Sequence, residues 1–161
     1  MNYWRLSGFY LFYFASLGAL VPYWSLYLKS LDFSITEIGQ LIAILMATKI
    51  VAPNVWGWIA DHTGRRMAIV RLASLISFLV FAGVFYVSGF WQLALVMALF
   101  SFFWNASLPQ FEAVTFSYLE EQVHRYSRIR LWGSVGFIVT ASGVGVLVDG
   151  YDPSMIPVVV L

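Results

Sequence analysis

Apolar residues run along this chain in long blocks separated by short polar clusters, with neither the strict alternation of half-buried strands nor the one-sided stripe of a soluble helix. Leu6 to Leu28 carries no charged side chain, and Ile38 to Ala60 carries only Lys49. The second block holds about 23 residues, enough at 1.5 Å each to cross a hydrocarbon core of about 30 Å. Leu72 to Phe111 is uncharged throughout. As helix it would measure about 60 Å, which is two crossings. The stretch Ser88-Gly89-Phe90-Trp91 is the one turn-like break near its middle. A further block, Leu131 to Val148, ends at Asp149-Gly150. The pattern predicts helices over about residues 6–28, 36–60, 68–88, 91–118 and 128–148. The closing Met155-Ile156-Pro157 and following valines read as the start of a sixth span. The expectation is therefore one N-terminal transmembrane bundle, residues 1–161, of a longer polypeptide whose beginning is intact. The first block is too long for the apolar core of a signal peptide and lacks a small-residue cleavage site, so it is expected to be retained.

Composition sharpens this. Of the 161 residues 61% are hydrophobic and only 11% charged, where a soluble domain is typically about a quarter charged. The fold class is thus an all-α, polytopic membrane bundle whose first partner is the lipid bilayer. With no cysteine there is no disulfide, redox pair or thiolate metal site. His62 and His124 lie far apart and outside any ligand motif, so neither metal nor cofactor is implied. A net charge of +1 gives no footprint for nucleic acid. The positions of the charges matter more: Arg5, Arg65, Arg66, Arg71, Arg125, Arg128 and Arg130 fall on one side of the alternating topology and Lys29 on the other. The positive-inside bias then makes the N-terminus and the second and fourth loops cytoplasmic.

The second loop reads Gly57-Trp58-Ile59-Ala60-Asp61-His62-Thr63-Gly64-Arg65-Arg66. A glycine near a helix end lets another helix approach, and Gly64 permits a tight reversal between spans. The spacing and the location resemble the G-x-x-x-D-x-x-G-R-R signature of the major facilitator superfamily. The resemblance implies a gating latch made by Gly57, Asp61, Gly64, Arg65 and Arg66. Many members pair this loop with an arginine on the fourth helix. None lies between Leu72 and Phe111, which leaves the partner of Asp61 open.

A second segment, Ser107-Leu108-Pro109-Gln110-Phe111-Glu112 followed by Arg128-Ile129-Arg130-Leu131-Trp132-Gly133, resembles the lactose permease and phenylpropionate permease branch of that superfamily. The resemblance implies that Glu112 and Arg130 contact substrate. Independently, residues 112 and 130 are symmetric about the loop at 121, so an antiparallel hairpin would set them at similar depth. Ser101, Asn105 and Glu112 share a helix face, a polar stripe that should meet protein or a wet cavity. A salt bridge joining the fourth and fifth helices is the plainer alternative. Lys49, at the midpoint of its span, costs about 3 kcal/mol to insert and needs a partner or water. Glu112 is the one acid well inside a span by sequence, so Lys49 is expected to pair with it or to share its cavity.

Trp4, Trp24, Trp56, Trp58, Trp91 and Trp132 fall towards span ends, as an aromatic belt requires, and Trp104 in mid-span reads as core packing. Gly133, Gly136, Ala141, Gly143 and Gly145 suggest close helix contacts. Taken together, the resemblance implies the N-terminal half of a twelve-helix facilitator in a bacterial inner membrane, with the C-terminal half as its missing partner. It further implies proton-coupled symport of a small organic solute. Lys49 and Arg130 against Glu112 leave one surplus positive charge, which favours an aromatic monocarboxylate of the phenylpropionate type. Asn105 completes the candidate substrate contacts. A sugar or nucleoside permease is the alternative. An enzyme would need a nucleophile, metal ligands or an acid and base at matched depth, and a purely structural membrane subunit would need no buried charge.

Overall fold

The computed structural model describes residues 3–150 and 152–161. It is helical, with no strand among the described residues: α1 (Tyr3–Ser30), α2 (Ile35–Thr63), α3 (Arg66–Phe81), α4 (Phe90–Leu119), α5 (Tyr126–Gly150) and a short terminal α6 (Ile156–Val160). Five helical segments are long and apolar enough to cross a membrane: α1, α2, α4, α5, and α3 taken together with the turn that follows it, Arg66–Tyr86. The boundaries lie within a few residues of those read from hydropathy, except that α3 stops at Phe81 and a tighter 3-10 turn, Ala82–Tyr86, carries the chain to the break before α4. Pro22, Pro53 and Pro109 lie inside continuous helices.

Local chemistry sets the ends of α2. Ser34 caps its start: the Glu37 amide donates to Ser34 Oγ (3.3 Å), and the Ser34 amide donates to Glu37 Oε2 (2.9 Å). This reciprocal pair satisfies two amides that a helix start leaves without intrahelical acceptors. At the other end Gly64 takes φ 65°, ψ 5° and donates its N–H to the Ala60 carbonyl. Only glycine adopts that left-handed conformation without steric cost. The signature glycine is thus the residue that stops α2 and lets Arg65 and Arg66 open α3.

The chain forms two compact units, Met1–Asp32 with Thr115–Leu161, and Phe33–Val114. In the first, α1 and α5 run parallel and pack closely, with α6 also against α1. Residues 3, 11, 18 and 23 of α1 meet residues 128, 136, 137 and 141 of α5 in order. The closeness comes from glycines: a Cβ built on Gly136 would stand 2.2 Å from the Leu11 carbonyl oxygen, and one on Gly18 2.6 Å from that of Phe137. Tyr23 closes the far end, donating to the Ala141 carbonyl at 2.6 Å, with its hydroxyl 2.7 Å from where a Gly145 Cβ would be. Of the small residues expected to mediate contacts, Gly143 differs: no described atom lies within 4 Å of its would-be Cβ.

In the second unit α4 is flanked by α2 and α3. Thr48 and Ser101 share a short hydroxyl–hydroxyl bond, and Trp56 Nε1 donates to the Phe102 carbonyl (3.1 Å), linking α2 to α4. Ser74 and Ser107 are bonded at 3.0 Å, and the rings of Phe81 and Phe100 lie 4.8 Å apart, linking α3 to α4. Trp104 stacks on Phe100 (5.5 Å, 18°), the packing role expected of it. The aromatic belt needs correction. Trp4, Trp58 and Trp91 are exposed, but Trp24 is 2% exposed against Tyr27, and Trp56 is turned inward onto Phe102 and Phe103. Position near a span end did not separate these cases, because a tryptophan about half a turn around the helix axis, as Trp56 is from Trp58, faces protein instead of lipid.

Candidate functional site

The loop signature is a bonded cluster. Arg66, the first residue of α3, donates from Nη2 to Asp61 Oδ1 (2.5 Å) at the end of α2 and from Nη1 to Gln110 Oε1 (2.6 Å) on α4. The two partners differ in setting: the Asp61 side chain is 65% exposed, whereas Gln110 is 2% exposed. An exposed ion pair is worth about 0–1 kcal/mol, while stripping the donor from a buried amide costs about 1–3 kcal/mol. The stronger anchor is therefore the neutral one. This answers the question of Asp61's partner: the arginine is within the signature itself, and α4 answers with a glutamine. Sequence reasoning passed over Gln110 because it lies off the Ser101–Asn105–Glu112 stripe and carries no charge.

Other signature residues do different work. Arg65 is exposed and precedes α3, its carbonyl accepting from the Ala68 (3.0 Å) and Ile69 (3.1 Å) amides. His62 Nδ1 pairs with the Trp58 carbonyl (2.8 Å), and its ring lies 4.3 Å from the Trp58 ring. Gly57 was expected to admit a neighbouring helix, yet no described atom approaches within 4 Å of its would-be Cβ.

Among the candidate substrate contacts, Lys49, Asn105 and Glu112 belong to the second unit and Arg130 to the first. Asn105 is 8% exposed, and its amide nitrogen donates to the Ser101 carbonyl (2.7 Å) and Ser101 Oγ (2.9 Å). Ser101 in turn meets Thr48, so the upper part of the polar stripe faces α2. Glu112 is half-buried on α4. Lys49 is exposed, and its ammonium group has no hydrogen-bond or ion-pair partner among the described residues.

The register of α2 against α4 corrects the direct pairing of Lys49 with Glu112. Thr48 is level with Ser101, and the helices run parallel towards the Asp61–Arg66–Gln110 cluster. Glu112 then lies about ten residues, or about 15 Å, farther along than Lys49. It sits near the level of the last turns of α2. Two extended side chains do not bridge that rise in addition to the lateral gap between helices, so an ion pair between them is not made in this structure.

Arg130 is held differently. Its guanidinium carbon lies 3.8 Å from the centroid of the Phe14 ring and 5.7 Å from that of Tyr10. Tyr10 also donates to Thr115 Oγ1 at 3.4 Å, and Tyr126 stacks on Phe116 (4.4 Å, 26°), so α1, the end of α4 and the start of α5 share an aromatic cluster. Among the described residues no group of three or more His, Cys, Asp or Glu is placed to hold a metal ion.

Compared with known proteins, residues 3–161 match the MFS_1 like family. The chain is 32% identical over 143 residues to a maltose permease of Geobacillus stearothermophilus, covering 88% of this chain and 36% of that protein. It is 29% identical over 156 residues to a probable 3-phenylpropionic acid transporter of Escherichia coli, covering 92% and 39%. To the uncharacterized transporter YwbF of Bacillus subtilis it is 27% identical over 153 residues, covering 94% and 38%. The chain thus spans less than two-fifths of the length of these relatives. No solved structure matches it significantly.

Proposed function

The chain belongs to the MFS_1 like family, and from that premise we propose that it is part of a secondary transporter moving a small organic anion by proton-coupled symport and alternating access. Arg130, half-buried and held on an aromatic face, carries this reading. A guanidinium there offers a carboxylate a charge and a planar pair of donors, and nearby rings offer an aromatic solute an apolar surface. Lys49 supplies a second positive charge within its span, and Glu112 one negative charge, so the candidate residues together keep the surplus positive charge that an anionic solute would neutralise. The relative that is a probable 3-phenylpropionic acid transporter agrees with an aromatic monocarboxylate. The maltose permease favours a second reading, a sugar permease in which Glu112 and Arg130 contact sugar hydroxyls.

Uptake by the full-length protein in proteoliposomes separates these. Under the first reading 3-phenylpropionate accumulates when the outside is made acidic, accumulation collapses with a protonophore, and Arg130→Gln abolishes it. Uptake of maltose without uptake of 3-phenylpropionate would select the second. No flux of either, in protein shown to be folded, would count against both.

The same reading sets the Asp61–Arg66 loop on the cytoplasmic face of an inner membrane. With no native cysteine, single cysteines are clean reporters. Positions 31 and 89 are expected to react with an impermeant thiol reagent added to intact cells, and positions 64 and 122 only after permeabilisation. Labelling at 64 in intact cells would reverse the orientation.

A further inference from the structure

We infer that Phe14 and Gly133 position Arg130, the ring holding the guanidinium by its face and the glycine leaving the notch in which one guanidinium edge sits. Two observations meet here. The guanidinium stands 3.8 Å from the Phe14 centroid, well inside the range of a cation–π contact. A Cβ at Gly133 would lie 2.8 Å from Arg130 Nη1 and 2.9 Å from Phe14 Cδ2. Gly133 follows Arg130 by three residues and so shares its face of α5. Any larger residue there would push both the cation and the ring out of register. Lacking a side chain at 133, α5 lets Arg130 fold along its own surface towards α1, where Phe14 receives it. An arginine has four side-chain torsions and loses much rotamer freedom when fixed. Ring and notch contribute to that restraint alongside the side chain's other contacts, so that a solute would meet donors already oriented. Phe14 acts through Arg130 and is in this sense a positioning residue. The functional consequence rests on the proposal that Arg130 contacts solute; the restraint on the side chain does not.

Phenylglyoxal, which modifies accessible guanidinium groups, tests the restraint without knowledge of the solute. In the membrane-embedded full-length protein the modification rate at Arg130 is read by peptide mass spectrometry against the exposed Arg128 of the same molecule. Phe14→Leu keeps most of the volume but removes the ring face, and the Arg130-to-Arg128 rate ratio is expected to rise by about five- to tenfold. Phe14→Tyr, which keeps the face, is expected to stay within about twofold of the starting ratio. Gly133→Ala should raise the ratio as Phe14→Leu does. An unchanged ratio in Phe14→Leu overturns the proposal, and so does an equal rise in Phe14→Leu and Phe14→Tyr, since the ring face would then be irrelevant. Adding 3-phenylpropionate keeps the two ideas apart. Protection of Arg130 in the starting protein supports its contact with solute, whereas ratios that respond to Phe14 without any protection leave the positioning standing and count against the solute role.

Discussion

Gly136→Ala is expected to destabilise the protein by about 1–3 kcal/mol, and larger residues at this position to prevent folding. The added carbon would lie 2.2 Å from the Leu11 carbonyl oxygen and 3.0 Å from its carbonyl carbon. Both are backbone atoms, so no change of rotamer relieves the overlap, and α1 and α5 must separate along their length. Gly143→Ala is the control on the same helix. No described atom lies within 4 Å of its would-be Cβ, and alanine should gain helix propensity of up to about 1 kcal/mol. Thermal unfolding of the purified full-length protein, followed by intrinsic tryptophan fluorescence, should give a midpoint well below the starting value for Gly136→Ala and at or above it for Gly143→Ala. Coincident midpoints would mean that the close approach of α1 and α5 is not the native one.

The Asp61–Arg66–Gln110 cluster makes the second large prediction. Arg66→Met removes the donor from a buried amide oxygen and should cost about 1–3 kcal/mol. Gln110→Leu in the same molecule removes the stranded group, and because replacing both partners by apolar groups is nearly neutral, most of the loss should return. Asp61→Asn keeps an acceptor and alters only an exposed pair, so its effect on stability should stay below about 1 kcal/mol. If the loop is the gate latch that its resemblance to the superfamily signature implies, Asp61→Asn should slow transport while leaving solute affinity in detergent nearly unchanged, since it shifts the balance of states and not the contacts. A double variant no more stable than Arg66→Met would show that Gln110 is not the anchor. A stability loss in Asp61→Asn equal to that of Arg66→Met would transfer that role to the carboxylate.

Much of this architecture could be read from residues alone, because a membrane helix announces itself by the length of its apolar run and by the charges that punctuate it. The ends of α2 were legible in Ser34, Glu37 and Gly64, whose roles are local. Gly133 and Gly136 were legible as contact residues, but their partners Phe14 and Leu11 were not, since one aromatic among many on α1, or one stretch of its backbone, carries no mark of what it touches. The pairing of Lys49 with Glu112 failed for a related reason. Sequence gives the period of each helix and roughly where it ends, but not the axial offset between two helices. That offset is set by contacts such as Thr48 with Ser101. Gln110 was missed because an uncharged amide in an apolar run looks inert until an arginine from another helix is found beside it.

The two ends of α2 have a further meaning when set beside how little covers its middle. Of its 29 residues Leu41, Ala52 and Ala60 are buried within the described chain, while start and stop signals are both written into its own sequence. A helix shaped by its neighbours loses its outline when they shift. One whose ends are dictated by Ser34 and Gly64 keeps the same first and last residues whatever packs against its middle. It can also take its full length as it leaves the insertion machinery, before any neighbour is in place to template it.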